Sequence, residues 1–280
     1  MSKLSPAVKG LINAPFARPG QAPAPARIRQ IYERIASEAA EKKYGKNPWV
    51  TLSAAATFTL NSPDSLHALF QVATNRQHNP LAAAELIREV GLKCISFNGI
   101  PRTINCLGSF RAGLDPKIQG QLSTRSSREV DTSNVSDVKS RGTALWNSIY
   151  TPFEGKLVTK LAESHPDLPV HILNSHYGPL LADPPAENRH GLASVGRALT
   201  SIVAVACLRA QTGVGPQVLS HIFGLRKAVE QGAHQSEAAE DVDGIEALAS
   251  DEGCEWILKS VDSISEAIGA NFAQGRESKL

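Results

Sequence analysis

Apolar residues recur at helical spacing along most of the chain, most clearly from Gly196 to Lys227. Ile202, Val203, Val205, Ala206 and Leu208 make a broad apolar face over Leu199–Gln211. Thr212-Gly213-Val214-Gly215 interrupts that helix. Pro216 suits the first turn of the next one, where a missing N–H loses no partner. This second helix is expected to turn Val218, Leu219, Ile222 and Leu225 inward, with His221 among them, one turn past Gln217. A looser copy of the hairpin runs from Glu85 to Gly113, with a break at Asn98-Gly99-Ile100 before Pro101. Aligning Pro101 with Pro216 sets Arg102 on Gln217, Ile104 on Leu219, Asn105 on Ser220 and Cys106 on His221, a short match that suggests duplication.

The remaining segments are also helical in pattern. Ala26–Lys43 carries Ile28, Ile31, Ile35 and Ala39 on one face, and Pro48–Leu60 and Pro63–Ala73 follow, the latter with Ser62 as N-cap. Asn79-Pro80 opens the long helix of the first hairpin. Ser136–Ile149 resumes the helical pattern, Thr151-Pro152 caps a further helix ending near His165-Pro166, and Asp167–Tyr177 is a short one. Gly178–His190 is expected to be a loop, and Cys254–Ile268 the last helix. Period-two alternation is never sustained, so the chain is expected to be all-α. Leu114–Val135 is polar and Ser/Thr-rich, a linker expected to run over the surface. Acidic Gly232–Ser250 reads as an exposed insertion. The implied organisation is an extended or disordered arm (1–26), a repeat (27–113), the linker (114–135), a second repeat (136–270) and a flexible tail (271–280).

Composition narrows the partners. With 42% hydrophobic and 20% charged residues in 280, the chain can bury a large core, and a net charge of +2 gives no nucleic-acid footprint. Cys94, Cys106, Cys207 and Cys254 form neither a Cys-x-x-Cys pair nor a zinc spacing, which suggests a reducing compartment and no disulfide framework. No apolar run approaches the roughly 20 residues of a membrane helix, so membrane insertion is not expected. Ser278-Lys279-Leu280 at the C-terminus is the tripeptide read by the peroxisomal import receptor, and implies the peroxisomal matrix. Residues 1–32 hold Lys3, Lys9, Arg18, Arg27 and Arg29 and no acid, as a mitochondrial presequence does. Five prolines between Pro6 and Pro25 would interrupt its amphipathic helix.

The second half resembles the carboxymuconolactone decarboxylase and alkylhydroperoxidase D-like (AhpD-like) superfamily. The features that carry the resemblance run in order: Gly142, Trp146 and Ile149-Tyr150; Leu157–Leu161 with His165-Pro166-Asp167-Leu168; Tyr177-Gly178; Arg197; then Gln217, His221 and the small-residue-rich Gly224–Gly232. In the first half, Phe97-Asn98-Gly99-Ile100-Pro101-Arg102 is similar to the turn of decarboxylase-type members. The doubled arrangement looks like the fungal branch. The resemblance implies an AhpD-like helical fold with two tandem repeats, no cofactor, and assembly as a homodimer. It also implies limits. Where peroxidase members carry Cys-x-x-Cys, this chain has Val214 and Gln217, and Ala198 stands where they carry Glu. Dithiol peroxidase chemistry needs an attacking and a resolving thiol within reach, so it is not expected.

Candidate chemistry centres on His221, whose imidazole can move a proton near neutral pH. Cys106 beside Arg102 and near a helix start is a candidate thiolate, although such a cysteine more often packs as a small core residue. Glu85 and Glu89, one turn apart, are candidate acid–base groups that would pair with Arg102 or Arg197. Arg102, Asn105, Arg197, Gln217 and Tyr177 are the candidate substrate-binding groups, the last expected to pack with its hydroxyl satisfied. His171 and His176 are five apart, which does not set both on one α-helical face, so no metal site is expected. Three readings follow: a cofactor-free proton-transfer enzyme on an unidentified lactone, keto acid or acyl compound; a non-catalytic binding or assembly protein; and, third, a thiol antioxidant using Cys94 or Cys106, which the missing Cys-x-x-Cys pair disfavours. The terminal tripeptide makes a direct prediction. A fluorescent protein fused after Leu280 masks the carboxylate and should leave the protein cytosolic, whereas an N-terminal fusion should be punctate under the microscope; import of both would remove the signal's role.

Overall fold

The computed structural model describes residues 3–76 and 79–269, so the Ser278-Lys279-Leu280 signal and the whole 271–280 tail lie outside the described residues. Among the described residues the chain is all-α, with no strand. The helices of the first half are α1 (Pro6–Ile12), α2 (Ile28–Glu41), α3 (Asn47–Thr59), α4 (Pro63–Asn75), α5 (Pro80–Lys93), α6 (Ile95–Asn98), α7 (Ile100–Gly113) and α8 (Pro116–Gln119). Those of the second are α9 (Val135–Tyr150), α10 (Glu154–Ser164), α11 (Asp167–His171), α12 (Arg197–Gln211), α13 (Gly215–Glu230), α14 (Val242–Leu248) and α15 (Asp251–Ile268). No described helix is long and apolar enough to cross a membrane.

Two helices without a polar face form the centre. Every residue of α3 from Pro48 to Thr59 is buried, and so is α12 from Ala198 to Leu208. A helix apolar all round has to be covered on all sides. Here α3 and α12 pack against each other, α15 lies against both, α5 and α4 cover α3, and α13 covers α12. The hydroxyls buried in α3 turn back onto their own helix: Thr57 donates to Ser53 O (2.6 Å) and Thr59 to Ala55 O (2.8 Å). Both sequence-predicted breaks are present, at Gly99 (φ 77) before α7 and at Thr212 (φ 62) and Gly213 (φ 73) before α13. A second, smaller cluster of Trp146, Ile149, Tyr177 and Leu181 sits where α9 meets residues 172–181. At that crossing Gly142 passes so close to Gly178 that a Cβ would fall 2.5 Å from its backbone nitrogen.

The sequence reading needs correction in five places. Ile172–Leu181, expected to become a loop after Tyr177, continues as a π-helix through Pro179. Five residues per hydrogen-bonded step then bring His171 and His176 together, ring centroids 5.3 Å apart, where α-helical spacing would separate them. Residues 232–250 are not an exposed insertion. Asp241 is fully buried and accepts from Lys46 N (2.6 Å) and Asn47 N (3.1 Å), so it caps α3. Glu237 is buried and accepts from Gly196 N, Ala198 N and Leu199 N at 2.8–3.2 Å, so it caps α12. Leu219, expected to face inward, is exposed. The arm folds a short helix at Pro6–Ile12, which Ser5 caps and which buries no residue.

One buried cation ties the halves together. Lys93, at the end of α5 and 0% exposed, donates to Leu181 O (2.7 Å), Asp183 Oδ1 (2.7 Å), Thr200 Oγ1 (3.0 Å) and Val195 O. Removing one partner of a buried pair strands the other. Lys93→Met should therefore lower unfolding stability by about 3–5 kcal/mol in urea titrations. Arg209→Met, which breaks an exposed pair with Asp262, should cost no more than about 1 kcal/mol; equal losses would show that Lys93 is not the tie.

Candidate functional site

Four elements converge on His221. α13 carries it in its second turn, α12 begins with Arg197, α9 ends at Ser148-Ile149-Tyr150, and the π-helix supplies Tyr177. Arg197 heads its helix as expected, and its guanidinium spans the gap between helices. Nε donates to Ser148 Oγ (2.7 Å), Nη1 to Ser201 Oγ (2.6 Å), and Nη2 to Ser148 O (3.2 Å) and Gly224 O (2.8 Å). Gly224 leaves room for this: a Cβ there would press on Ile149 and Ser201 at 3.3 Å. All four acceptors are neutral, and among the described residues no carboxylate lies within ion-pair distance of Arg197. Burial lowers the guanidinium's pKa to about 10, which still leaves it charged at neutral pH.

His221 is 6% exposed, and its Nδ1 has no hydrogen-bond partner. Phe97 and Tyr150 meet the ring edge-to-face at centroid distances of 6.1 and 6.2 Å. Burial, and secondarily the charge of Arg197, push the imidazole's pKa from 6.5 down to about 4. The ring is thus neutral, with a lone pair or an N–H left unsatisfied in an apolar wall. Tyr150 and Tyr177 share a hydroxyl–hydroxyl contact of 3.1 Å, so Tyr177 packs with its phenol satisfied. Burial raises the pKa of both phenols, and Trp146 backs both rings. The group thus combines a cation whose hydrogen-bond acceptors are all neutral, a neutral imidazole and a phenol pair. An anion bound at Arg197 would remove the second cause that depresses His221 and raise its basicity.

The other candidates lie apart from this group. Gln217 is exposed at the start of α13. Arg102, Asn105 and Cys106 gather around Asn61 on the far hairpin: Arg102 donates to Thr59 O (3.2 Å), and Asn105 to Asn61 Oδ1 (3.3 Å). Cys106 is not an activated thiolate. Burial pushes its pKa up to about 12, and Arg102 offsets this only in part. Glu85 and Glu89 are buried but pair with neither Arg102 nor Arg197. Glu85 is held by Arg88 (2.8 Å) and Ser123 N (2.7 Å), and Glu89 by Arg128, so the linker is fastened to α5 through its polar residues. Glu85, Glu237 and Arg189 line a separate cleft of about 530 Å³ over the starts of α3, α5 and α12. His221 lines neither that cleft nor the one of about 470 Å³ beside the α12–α13 turn. No three His, Cys, Asp or Glu side chains converge as a metal site among the described residues.

Sequence reasoning passed over Phe97 and Tyr150 as chemistry, although both stand in quoted motifs, because aromatic residues in a helix read first as packing. Comparison of the chain with protein-family models, curated proteins and solved structures returns no match.

The depressed imidazole makes a signed pH prediction. A histidine whose folded pKa lies below its unfolded value contributes stability that is lost as pH falls from about 6.5 towards 4, because the unfolded chain binds the proton more readily. Between pH 7 and 4.5 the wild type should lose on the order of 2–3 kcal/mol more than His221→Gln in denaturant titrations. Parallel acid responses would mean that the ring is solvated.

Proposed function

We propose that this chain is an AhpD-like, carboxymuconolactone decarboxylase-like protein of the fungal two-repeat kind. It works in the peroxisomal matrix, delivered by Ser278-Lys279-Leu280, as a cofactor-free proton-transfer enzyme on a small carboxylate-bearing lactone, keto acid or acyl compound. The observation that carries this reading is the unpartnered Nδ1 of buried His221 beside Arg197, a buried cation with only neutral acceptors. The ordered resemblance of residues 142–232 supports the family. The positive-φ turns at Gly99 and at Thr212-Gly213, each followed by a proline in the next helix's first turn, support the duplication. Exposed Ile100 and Ile104 on α7, and Leu219 and Phe223 on α13, support a homodimer.

In this reading a substrate carboxylate takes the free valence of Arg197. His221 accepts a proton from the carbon next to the substrate carbonyl, and the Tyr150–Tyr177 pair donates a hydrogen bond to the oxygen that gains charge. The proton returns from the imidazolium to another carbon. The non-catalytic reading draws on a different observation: Phe97 and Tyr150 cover the ring, and the two clefts described above open elsewhere.

Untargeted metabolite profiles separate the two. A strain of the source organism carrying His221→Gln should accumulate the same small acid as a deletion strain, reflecting a loss of roughly 100-fold or more in turnover. If the deletion strain is altered while the His221→Gln strain matches wild type, the protein acts without this imidazole and the binding reading stands.

A further inference from the structure

We infer that Cys94 and Cys207 form a buried dithiol that a hydroperoxide oxidises once, to a disulfide joining the end of α5 to α12. The two cysteines are 113 residues apart and in no motif, yet their Sγ atoms lie 3.5 Å apart, both side chains fully buried. Cys94 sits at the junction of α5 and α6, and Cys207 in the third turn of α12. The sulfurs are already in contact, and a bond would bring them to about 2.05 Å. This inference does not rest on the His221 reading.

Two partly exposed amide side chains lie beside the pair. Asn98 directs its side-chain N–H at Cys207 Sγ (3.7 Å). Gln211 donates to Phe97 O (2.8 Å) and reaches Asn98 Oδ1 (3.4 Å), and both amide side chains are partly exposed. The cover is α6, a single turn that ends at Gly99 in the left-handed region. A peroxide entering between Asn98 and Gln211 would meet Cys207 first.

The step balances. Cys207 sulfur attacks the terminal oxygen of ROOH, the O–O bond breaks, ROH leaves with the former thiol proton, and Cys207 becomes a sulfenic acid. Cys94 sulfur then attacks Cys207 sulfur, and the hydroxyl leaves as water with the Cys94 proton. Two thiols are oxidised and one peroxide is reduced. Burial holds the Cys94 thiol well above its ordinary pKa, so the reaction is slow and stoichiometric rather than a peroxidase cycle.

The test uses the reduced full-length protein, treated with hydrogen peroxide, then denatured, alkylated and weighed intact, with a non-reducing peptide map. Native wild type should take up two alkyl groups instead of four, weigh about 2 Da less than the chain plus those two groups, and yield one cross-linked peptide containing residues 94 and 207, all reversed by dithiothreitol. Cys106→Ser/Cys254→Ser should form the same cross-link, and Cys207→Ser should not lose the mass. Oxygen addition without a cross-link would overturn the inference. So would a cross-link between other cysteines, or a native protein inert at exposures that oxidise the urea-unfolded chain. Should Cys207→Ser fail to fold, the wild-type map and the double variant decide.

Discussion

A lysine ammonium without water must find oxygens, and Lys93 finds four of them between Leu181 and Thr200, in the other half of the chain. Desolvating that charge is costly, so the oxygens are held in place as much as the lysine is. Leu181 O ends the π-helix, Val195 O and Thr200 Oγ1 mark the start of α12, and Asp183 joins them, accepting in turn from Ser194 Oγ and Val195 N. The position of Arg197 follows from this. It lies two residues past Val195, and the turn that Lys93 fixes sets where its guanidinium enters the gap between α9 and α13. The His221 group therefore draws its helices from the second half, with Phe97 closing over the ring from the first, and is anchored by the first.

The same economy of polar contacts explains the acidic segment. Two central helices with no polar face present buried N-terminal amides, which need acceptors. Asp241 and Glu237, four residues apart in sequence, serve α3 and α12 from one short strap. Burial raises the pKa of both carboxyls, while the amide donors act in the opposite sense. A helix start, not solvent, is what these charges face.

Much of the fold was legible because it follows from periodicity. The boundaries of α12 and α13, the glycine breaks and the absence of strands are set by local apolar spacing and by turn residues. What stayed hidden is non-local. An acidic run looks the same whether its carboxylates meet water or helix amides. Lys93 looks like any lysine on a helix until its carbonyl partners are in place. His171 and His176 were judged by α-helical geometry, and a π-helix changes which residues align. Of the site, His221, Arg197 and Tyr177 were each named from the sequence, and the fold places them in one group. Cys106, Glu85 and Glu89 belong to other clusters, since each follows a nearer partner: Asn61 for the thiol, Arg88 and Arg128 for the acids.

The capping strap also bears on how the chain comes to be folded. The amides that open α3 are satisfied by a residue 195 positions later, and α15, which covers α3, comes later still. While the ribosome is still making the second half, the first half holds an apolar helix with neither its cap nor its lid. Its core can close only after most of the polypeptide has left the exit tunnel. Such a topology folds after synthesis, slowly, through long-range contacts, and leaves a sticky nascent segment for chaperones to shield in the meantime.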